Sequence, residues 1–481
     1  MEHYLGQKGY SILKKNLSIK EQEGVRNDLM AIPFVPKSSM NQPRHFPIYR
    51  ESPKKFYVPR FYGIRNFGHP DIIKISEGED IDIKFNGCLR DFQIPVVETF
   101  VNHAKENGSG LLELYCGYGK TVLALNIISK LKKKTLVIVH KEFLLNQWVE
   151  RIEQFLPDAK IGRIQGKVVD TDGKDIVIGM LQSLSMKTYP LSLFQEFGFS
   201  IFDECHHISA EVFSNALFKI VTKYGLGLSA TMNRKDGLTK VFKQFLGDVV
   251  VKKKRDHDDP VTVKAIEYHT NDEEFNEVVY NFKGQTHYAI MIRKLCQFND
   301  RSEFILKILK DTLKEADEKG EEMQVMILAH NKSLLKYLYD AIEYRQITTV
   351  GYYVGGMKEK DLKLTEDKRV IIATYAMAEE ALDIKTLTTL IMATPKTDVT
   401  QAVGRILRMK HANPQVFDIV DTHGIFQRQW MKRMKLYKQS KYNVYYSTDY
   451  NKNKWELVLE KGMKTKNASK TKKDVFDECM L

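Results

Sequence analysis

At 481 residues, with 43% hydrophobic and 28% charged side chains, the chain has room for two or three domains, each with its own core. A net charge of +13 points to a polyanionic partner, most simply nucleic acid. The opening MEHYLGQKGYSILKK has no apolar signal core and no run of about 18 apolar residues occurs, so an intracellular protein, cytoplasmic or nuclear and without a membrane segment, is expected.

Cys88, Cys116, Cys205, Cys296 and Cys479 are scattered and form no CxxC, which argues against a disulfide framework and a zinc site and for a reducing compartment. The adjacent Cys205, His206 and His207 are too close in sequence to converge on one ion.

Taken in chain order, residues 1–84 are dense in proline (Pro33, Pro36, Pro43, Pro47, Pro53, Pro59), which predicts an accessory module of short strands and loops. Its cluster Phe56, Tyr57, Arg60, Phe61 and Tyr62 reads first as a small aromatic core and second as a nucleic-acid grip. From residue 85 to 250, short apolar runs alternate with amphipathic stretches. The runs are Leu111 to Leu114, Leu136 to Val139, Ile176 to Ile178, Ser200 to Phe202 and Leu226 to Leu228. Continuous apolar strands of this kind fit a parallel sheet covered on both faces by crossover helices.

The charged segment Lys252 to Pro260 marks a seam, and 251–300 reads as a linker, a helical insert or the edge of a second domain. A second alternating set, Val325 to Leu328, Val370 to Ile372, Leu390 to Met392 and Val416 to Val420, predicts that second α/β domain over 301–435. Residues 436–481 form a C-terminal extension whose basic tail reads equally as a disordered end that attracts nucleic acid and as a merely solvated one.

Chemistry concentrates where apolar runs end. After Leu111 to Leu114 come Cys116, Gly117, Tyr118, Gly119, Lys120 and Thr121, then an apolar helix pattern. Glycines let backbone N–H groups close around phosphate oxygens, and the helix N-terminus adds positive charge. Lys120 is placed to reach β and γ phosphates and Thr121 to offer its hydroxyl to Mg²⁺. The strict phosphate-loop pattern would have Gly where Leu114 stands. Asp203 and Glu204 follow a buried run; Asp203 suits Mg²⁺ held through water, and Glu204 suits orientation of the attacking water. Gln401, Arg405 and Arg408 are spaced to share one helix face, and such arginines can stabilise charge on a transferring phosphoryl group.

In this order, these segments resemble the superfamily 2 DExH-type helicases and translocases over about residues 85–425. Cys116 to Thr121 is similar to motif I, Asp203 to His206 to motif II, Ser229-Ala230-Thr231 to motif III, and Gln401 to Arg408 to motif VI. The resemblance implies two tandem RecA-like α/β domains with parallel sheets, preceded by a small accessory domain, and ATP with Mg²⁺ between them. It gives Arg90 and Gln93 to the adenine, His140, Lys141, Gln182 and Thr374 to nucleic acid, and His206, Ser229, Ala230 and Thr231 to coupling. Thr374 to Asp383 resembles motif V, with Ala381 where the family has Gly.

Arg234-Lys235-Asp236-Gly237 is similar to the branch of the xeroderma pigmentosum type B translocase. Tyr4 to Tyr10 and Pro59 to Gly63 are similar to helicases of large cytoplasmic DNA viruses, including the poxvirus transcript-release type. The expected protein is a monomeric ATP-dependent helicase or translocase acting on DNA, ahead of RNA, or on transcription machinery, in host cytoplasm or virion if viral. The alternatives are an RNA helicase, a non-hydrolysing nucleic-acid clamp and, last, a restriction-type translocase subunit.

Overall fold

The computed structural model describes residues 3–34, 44–115, 117–204, 210–232, 237–255, 260–380 and 384–460. The chain divides into two units, Met1–Arg255 and Asp256–Leu481.

In the first unit, an eight-stranded sheet runs in the order Val168–Asp170, Ile161–Gln165, Ile176–Met180, Thr135–Val139, Phe199–Phe202, Tyr224–Ser229, Ser109–Leu114 and Val249–Lys253. All neighbours are parallel except the antiparallel pair at the Val168–Asp170 edge. Its four central strands, Ile176–Met180, Thr135–Val139, Phe199–Phe202 and Tyr224–Ser229, are buried at every position, because helices cover both faces. Each apolar run expected as a strand is one.

The proline-dense N-terminus forms a five-stranded sheet of its own, with helices Ile19–Asp28 and Arg60–Phe67. Two helices arise where strands and loops alone were expected. The first occupies a proline-free stretch and opens on a capping box, in which Ser18 and Glu21 satisfy each other's backbone N–H groups. The second starts directly after Pro59, which fixes the entering backbone.

This sheet shares one core with the larger one: Tyr10, Ile12, Phe56, Val58 and Tyr62 join Leu111, Leu136, Phe202, Phe242 and Leu246. Arg60 donates to the Lys223 carbonyl at 3.1 Å and Arg65 to the Lys243 carbonyl at 2.9 Å. Phe56 and Tyr62 are therefore core residues, and Arg60 is a strut to the neighbouring sheet.

The second unit has an eight-stranded sheet in the order Val350–Tyr353, Val370–Thr374, Val325–Ala329, Thr389–Met392, Gln415–Asp421, Thr262–Tyr268, Asn443–Ser447 and Glu456–Leu459. Only the last pair is antiparallel. Within 251–300, Thr262–Tyr268 is a strand inside this sheet, between strands more than a hundred positions later. Residues 436–460 likewise supply an edge of this sheet. The parallel ladder imposes this placement, because a crossover lets an early strand pair with late ones.

Two buried arginines hold one loop of this unit. Arg301 grips Asp421 with two bonds of 2.6 and 2.8 Å and donates to the Ala393 carbonyl at 2.8 Å. Arg433 donates to Asp418 and to the Lys396 carbonyl, each at 2.7 Å, and Tyr437 donates to the same Asp418 oxygen at 2.8 Å. Both ion pairs are essentially solvent-free. Together they fix the turn 393–396 that leads into Gln401.

Removing one partner strands a buried charge, so Arg433→Met is expected to cost about 3–5 kcal/mol. The double variant Asp418→Asn/Arg433→Met should recover part of that loss. Chemical denaturation of both variants checks it, and a loss below about 1 kcal/mol for the single change would contradict the buried-pair account.

Candidate functional site

Three neighbouring strands of the first sheet, Phe199–Phe202, Tyr224–Ser229 and Ser109–Leu114, bring three segments to one carboxyl edge, where parallel sheets bind ligands. These are Asp203-Glu204, Ser229-Ala230-Thr231 and the loop ending in Lys120-Thr121.

The loop turns on Gly117 and Gly119, with φ of +88° and +91°, a region that disfavours side chains. Gly119 caps helix Lys120–Leu131 in the left-handed conformation, leaving the first N–H groups of the helix facing the loop. Thr121 sits half-buried in the first turn. Cys116 lies outside the described residues.

Upstream, Gln93 braces the loop. Its Nε2 donates to the Tyr118 carbonyl at 2.7 Å, and its Oε1 accepts from the Arg90 N–H at 2.9 Å. The Tyr118 hydroxyl donates to the Phe92 carbonyl at 2.8 Å, and its ring meets Phe92 and Tyr115 edge-on. Arg90 and Gln93 thus stand beside the two-glycine loop.

The acidic pair meets the loop directly. The Lys120 ammonium lies 3.2 Å from Glu204 Oε1, both side chains being largely buried. Asp203 accepts from the Trp148 indole N–H at 2.8 Å and from the Glu204 N–H at 3.0 Å. Burial, and then the adjacent Glu204 charge, push the Asp203 carboxyl up to about 6. A cation in reach would reverse that push. A buried carboxylate of this kind, next to the Glu204 that meets Lys120, is a donor that suits Mg²⁺ with water completing its shell.

Glu204 has φ of +46°, an uncommon left-handed setting for a residue with a side chain. Such strain costs on the order of 1–3 kcal/mol and gathers at functional positions. His206 and Cys205 lie outside the described residues. Trp148, from helix Glu142–Phe155, is a site residue that the sequence reading missed, since nothing in its spacing links it to Asp203.

The remaining first-unit residues lie on the same edge. Ser229 Oγ donates to the Thr231 carbonyl at 2.5 Å and accepts from the Thr231 N–H at 3.1 Å, locking the SAT turn. Gln182 Nε2 donates to the His140 carbonyl at 2.7 Å, tying together the ends of two adjacent strands. Burial pushes the Lys141 amine down.

In the second unit, Thr374 ends strand Val370–Thr374, and its Oγ1 accepts from the Met377 N–H at 3.4 Å. Beside it, the Nδ1 and backbone N–H of His330 lie 2.8 and 3.1 Å from Thr394 Oγ1. Burial, then the Lys396 charge, push His330 down to about 4, so the ring is neutral at physiological pH. Ala381 and Asp383 lie outside the described residues, as do Arg234, Lys235 and Asp236.

Gln401, Arg405 and Arg408 do not share one α-helix, as their spacing predicts. The helix is only Thr400–Val403, and Arg405 and Arg408 follow on successive turns closed by i→i+3 bonds to Ala402 and Arg405. Gly404 continues in helical geometry, but the tighter turn takes over. Arg405 is buried and Arg408 half-buried.

With this geometry in place, the likeness to known proteins is specific. A family profile described as "Type III restriction enzyme, res subunit" matches residues 86–234. "Putative ATP-dependent RNA helicase L396" of Acanthamoeba polyphaga mimivirus is 34% identical over 470 residues, spanning 94% of this chain and 89% of its own. The chain belongs to the superfamily 2 helicases.

This helicase is also 26% identical over 486 residues to QP509L of African swine fever virus, named in the same words, over 92% of this chain and 93% of that one. Its likeness to the solved T4 UvsW is 17% identity over 93% of this chain and 99% of that one, with a TM-score of 0.37. The helicase is an enzyme of the ATP-dependent class, built from two α/β units with parallel sheets in the RecA-like manner. Among its described residues, no helix is long and apolar enough to cross a membrane.

Proposed function

We propose that this helicase is a nucleic-acid-stimulated ATPase that converts hydrolysis into movement along, or separation of, strands. The observation that carries the reading is the 3.2 Å contact of Lys120 with Glu204, over a two-glycine loop and beside the buried Asp203. In the resting arrangement each charge satisfies the other. An arriving triphosphate offers Lys120 a stronger anion, and Glu204 is then released to orient a water. Thr121 and Asp203 would hold Mg²⁺, which supplies neutralisation of phosphate charge when bound.

In this reading Gly117, Gly119 and the first turn of helix Lys120–Leu131 cradle the phosphates, and Arg90 and Gln93 lie at the adenine. Gln401, Arg405 and Arg408 serve the same triphosphate from the second unit, the arginines steadying charge on the transferring group. Nucleic acid is given to His140, Lys141, Gln182 and Thr374, and the Ser229 to Thr231 turn couples it to hydrolysis. Phosphate contacts of this kind position a strand without reading its sequence.

Two acids remain as substrates. The preference for DNA rests on Arg234 to Gly237, and the placement beside the xeroderma pigmentosum type B translocase rests on the same residues. RNA is favoured by the printed names of the mimivirus and African swine fever virus relatives. Those viral relatives also support placing the chain among helicases of large cytoplasmic DNA viruses.

Steady-state ATPase with duplex DNA, single-stranded DNA and single-stranded RNA separates the readings. Stimulation of about tenfold or more by at least one of them is expected, and it should fall steeply with added salt. A rate indifferent to every nucleic acid would sink the proposal.

A further inference from the structure

Strand Thr262–Tyr268 ends at the carboxyl edge of the second sheet, where Tyr268 pairs in register with Asp421. The chain then makes a short capped helix, Glu273–Asn276, held to the next loop by His423 Nε2, 2.8 Å from the Phe275 carbonyl. Beyond it stands a small hairpin, bridged between Tyr280 and Thr286. The hairpin is closely hydrogen-bonded. Asn281 N–H donates to the Gln285 carbonyl at 2.8 Å, and Asn281 Oδ1 accepts from the Lys283 and Gln285 N–H groups at 2.9 and 3.0 Å. Its base is tied down by His287 N–H to the Val279 carbonyl at 2.7 Å and by Lys294 Nζ to the Glu277 carbonyl at 2.8 Å.

This ordered frame holds two aromatic rings out in water: Tyr280 is 62% exposed and Phe282 76% exposed. A single exposed apolar side chain needs no explanation, but two rings two residues apart on a braced tip are a surface of defined shape. The Lys283 ammonium lies 5.6 Å from the Phe282 ring. The stem is acidic, with exposed Glu273, Glu274 and Glu277, so a phosphate backbone is repelled from the base and tolerated only at the tip. Flat aromatic faces flanked by one cation fit an unpaired base and its phosphate. The chain's +13 charge supplies the general attraction.

We propose that the 279–287 hairpin is a stacking tip for single-stranded nucleic acid, with Tyr280 and Phe282 meeting bases and Lys283 the adjoining phosphate. The inference rests on the proposed nucleic-acid-stimulated activity. It adds a contact outside the residues that the resemblance assigns. A tip of this kind, fixed to the same sheet edge as Thr374, would grip a strand between hydrolysis events.

The test uses the full chain and single strands, RNA and DNA, carrying 2-aminopurine. Tyr280→Ala/Phe282→Ala is expected to weaken single-strand binding by about 5- to 150-fold and to lose the fluorescence change that stacking causes. Basal ATPase and the thermal midpoint should not move. Phe282→Trp should retain binding. Lys283→Ala, at an exposed site that cannot disturb the core, should flatten the salt dependence of log K by about 0.7.

Unchanged affinity and fluorescence in the double variant, with wild-type binding intact, would overturn the stacking tip alone. A wild-type chain that binds neither strand would overturn it together with the activity beneath it.

Discussion

Glu204→Gln is expected to lower ATP turnover by about 10²–10⁴, and Lys120→Ala to take it to background. The two side chains are 3.2 Å apart, so each variant also removes a charge that faces the other. For Glu204→Gln the loss should nevertheless lie in kcat. An amide keeps the size and most hydrogen bonds of the carboxylate, and the strained backbone at φ +46° is left in place. What disappears is the negative charge proposed to orient water.

Lys120→Ala removes the cation proposed to meet the phosphates, so nucleotide affinity should fall as well. Turnover and nucleotide Kd measured side by side, against a mock preparation, separate these effects. Near-normal turnover in either variant would show that the loop and the acidic pair are misassigned. A Glu204→Gln protein that binds nucleic acid but no longer hydrolyses ATP would also dispose of a non-hydrolysing clamp, since hydrolysis must have been present to be lost.

The second large effect concerns the second unit. Arg408→Ala is expected to reduce kcat by about 10³–10⁵ with little change in nucleotide affinity, because a guanidinium that meets developing phosphoryl charge acts in the transition state rather than the ground state. Arg408 is the cleaner position: it is half-buried, whereas Arg405 is 4% exposed and its removal disturbs packing. Arg408→Lys keeps the charge and loses the planar fork, so it should stay closer to Ala than to wild type. Pre-steady-state turnover with saturating nucleic acid is the measurement. A defect confined to affinity would contradict the role and leave Arg408 as a binding residue.

Much of this was legible before any coordinates. The runs LVIV at 136–139 and VMIL at 325–328 are apolar on both faces, and only strands covered on both sides tolerate that. Glycines at 117 and 119 next to a lysine announced a loop needing left-handed backbone, and both have it. Thr262–Tyr268 was not legible. Its sequence TVKAIEY carries lysine and glutamate at half-exposed positions, and its partners, Gln415–Asp421 and Asn443–Ser447, are remote in the chain. The early end of the helix at Thr400–Val403 was not legible either: spacings of 4 and 3 fit a 3.6-residue period, and only the backbone shows tighter turns taking over at Arg405 and Arg408.

The sequence by itself determined which segments are buried strands and which side chains can do phosphate chemistry, because burial is written in hydrophobicity and chemistry in residue type. Only the tertiary structure decided that Trp148 holds Asp203, that Gln93 braces Tyr118, and that Arg301 and Arg433 clamp the turn before Gln401. Those contacts depend on the order in which parallel strands are laid side by side. That order is set by crossover connections and the packing of whole layers, not by any local pattern along the chain.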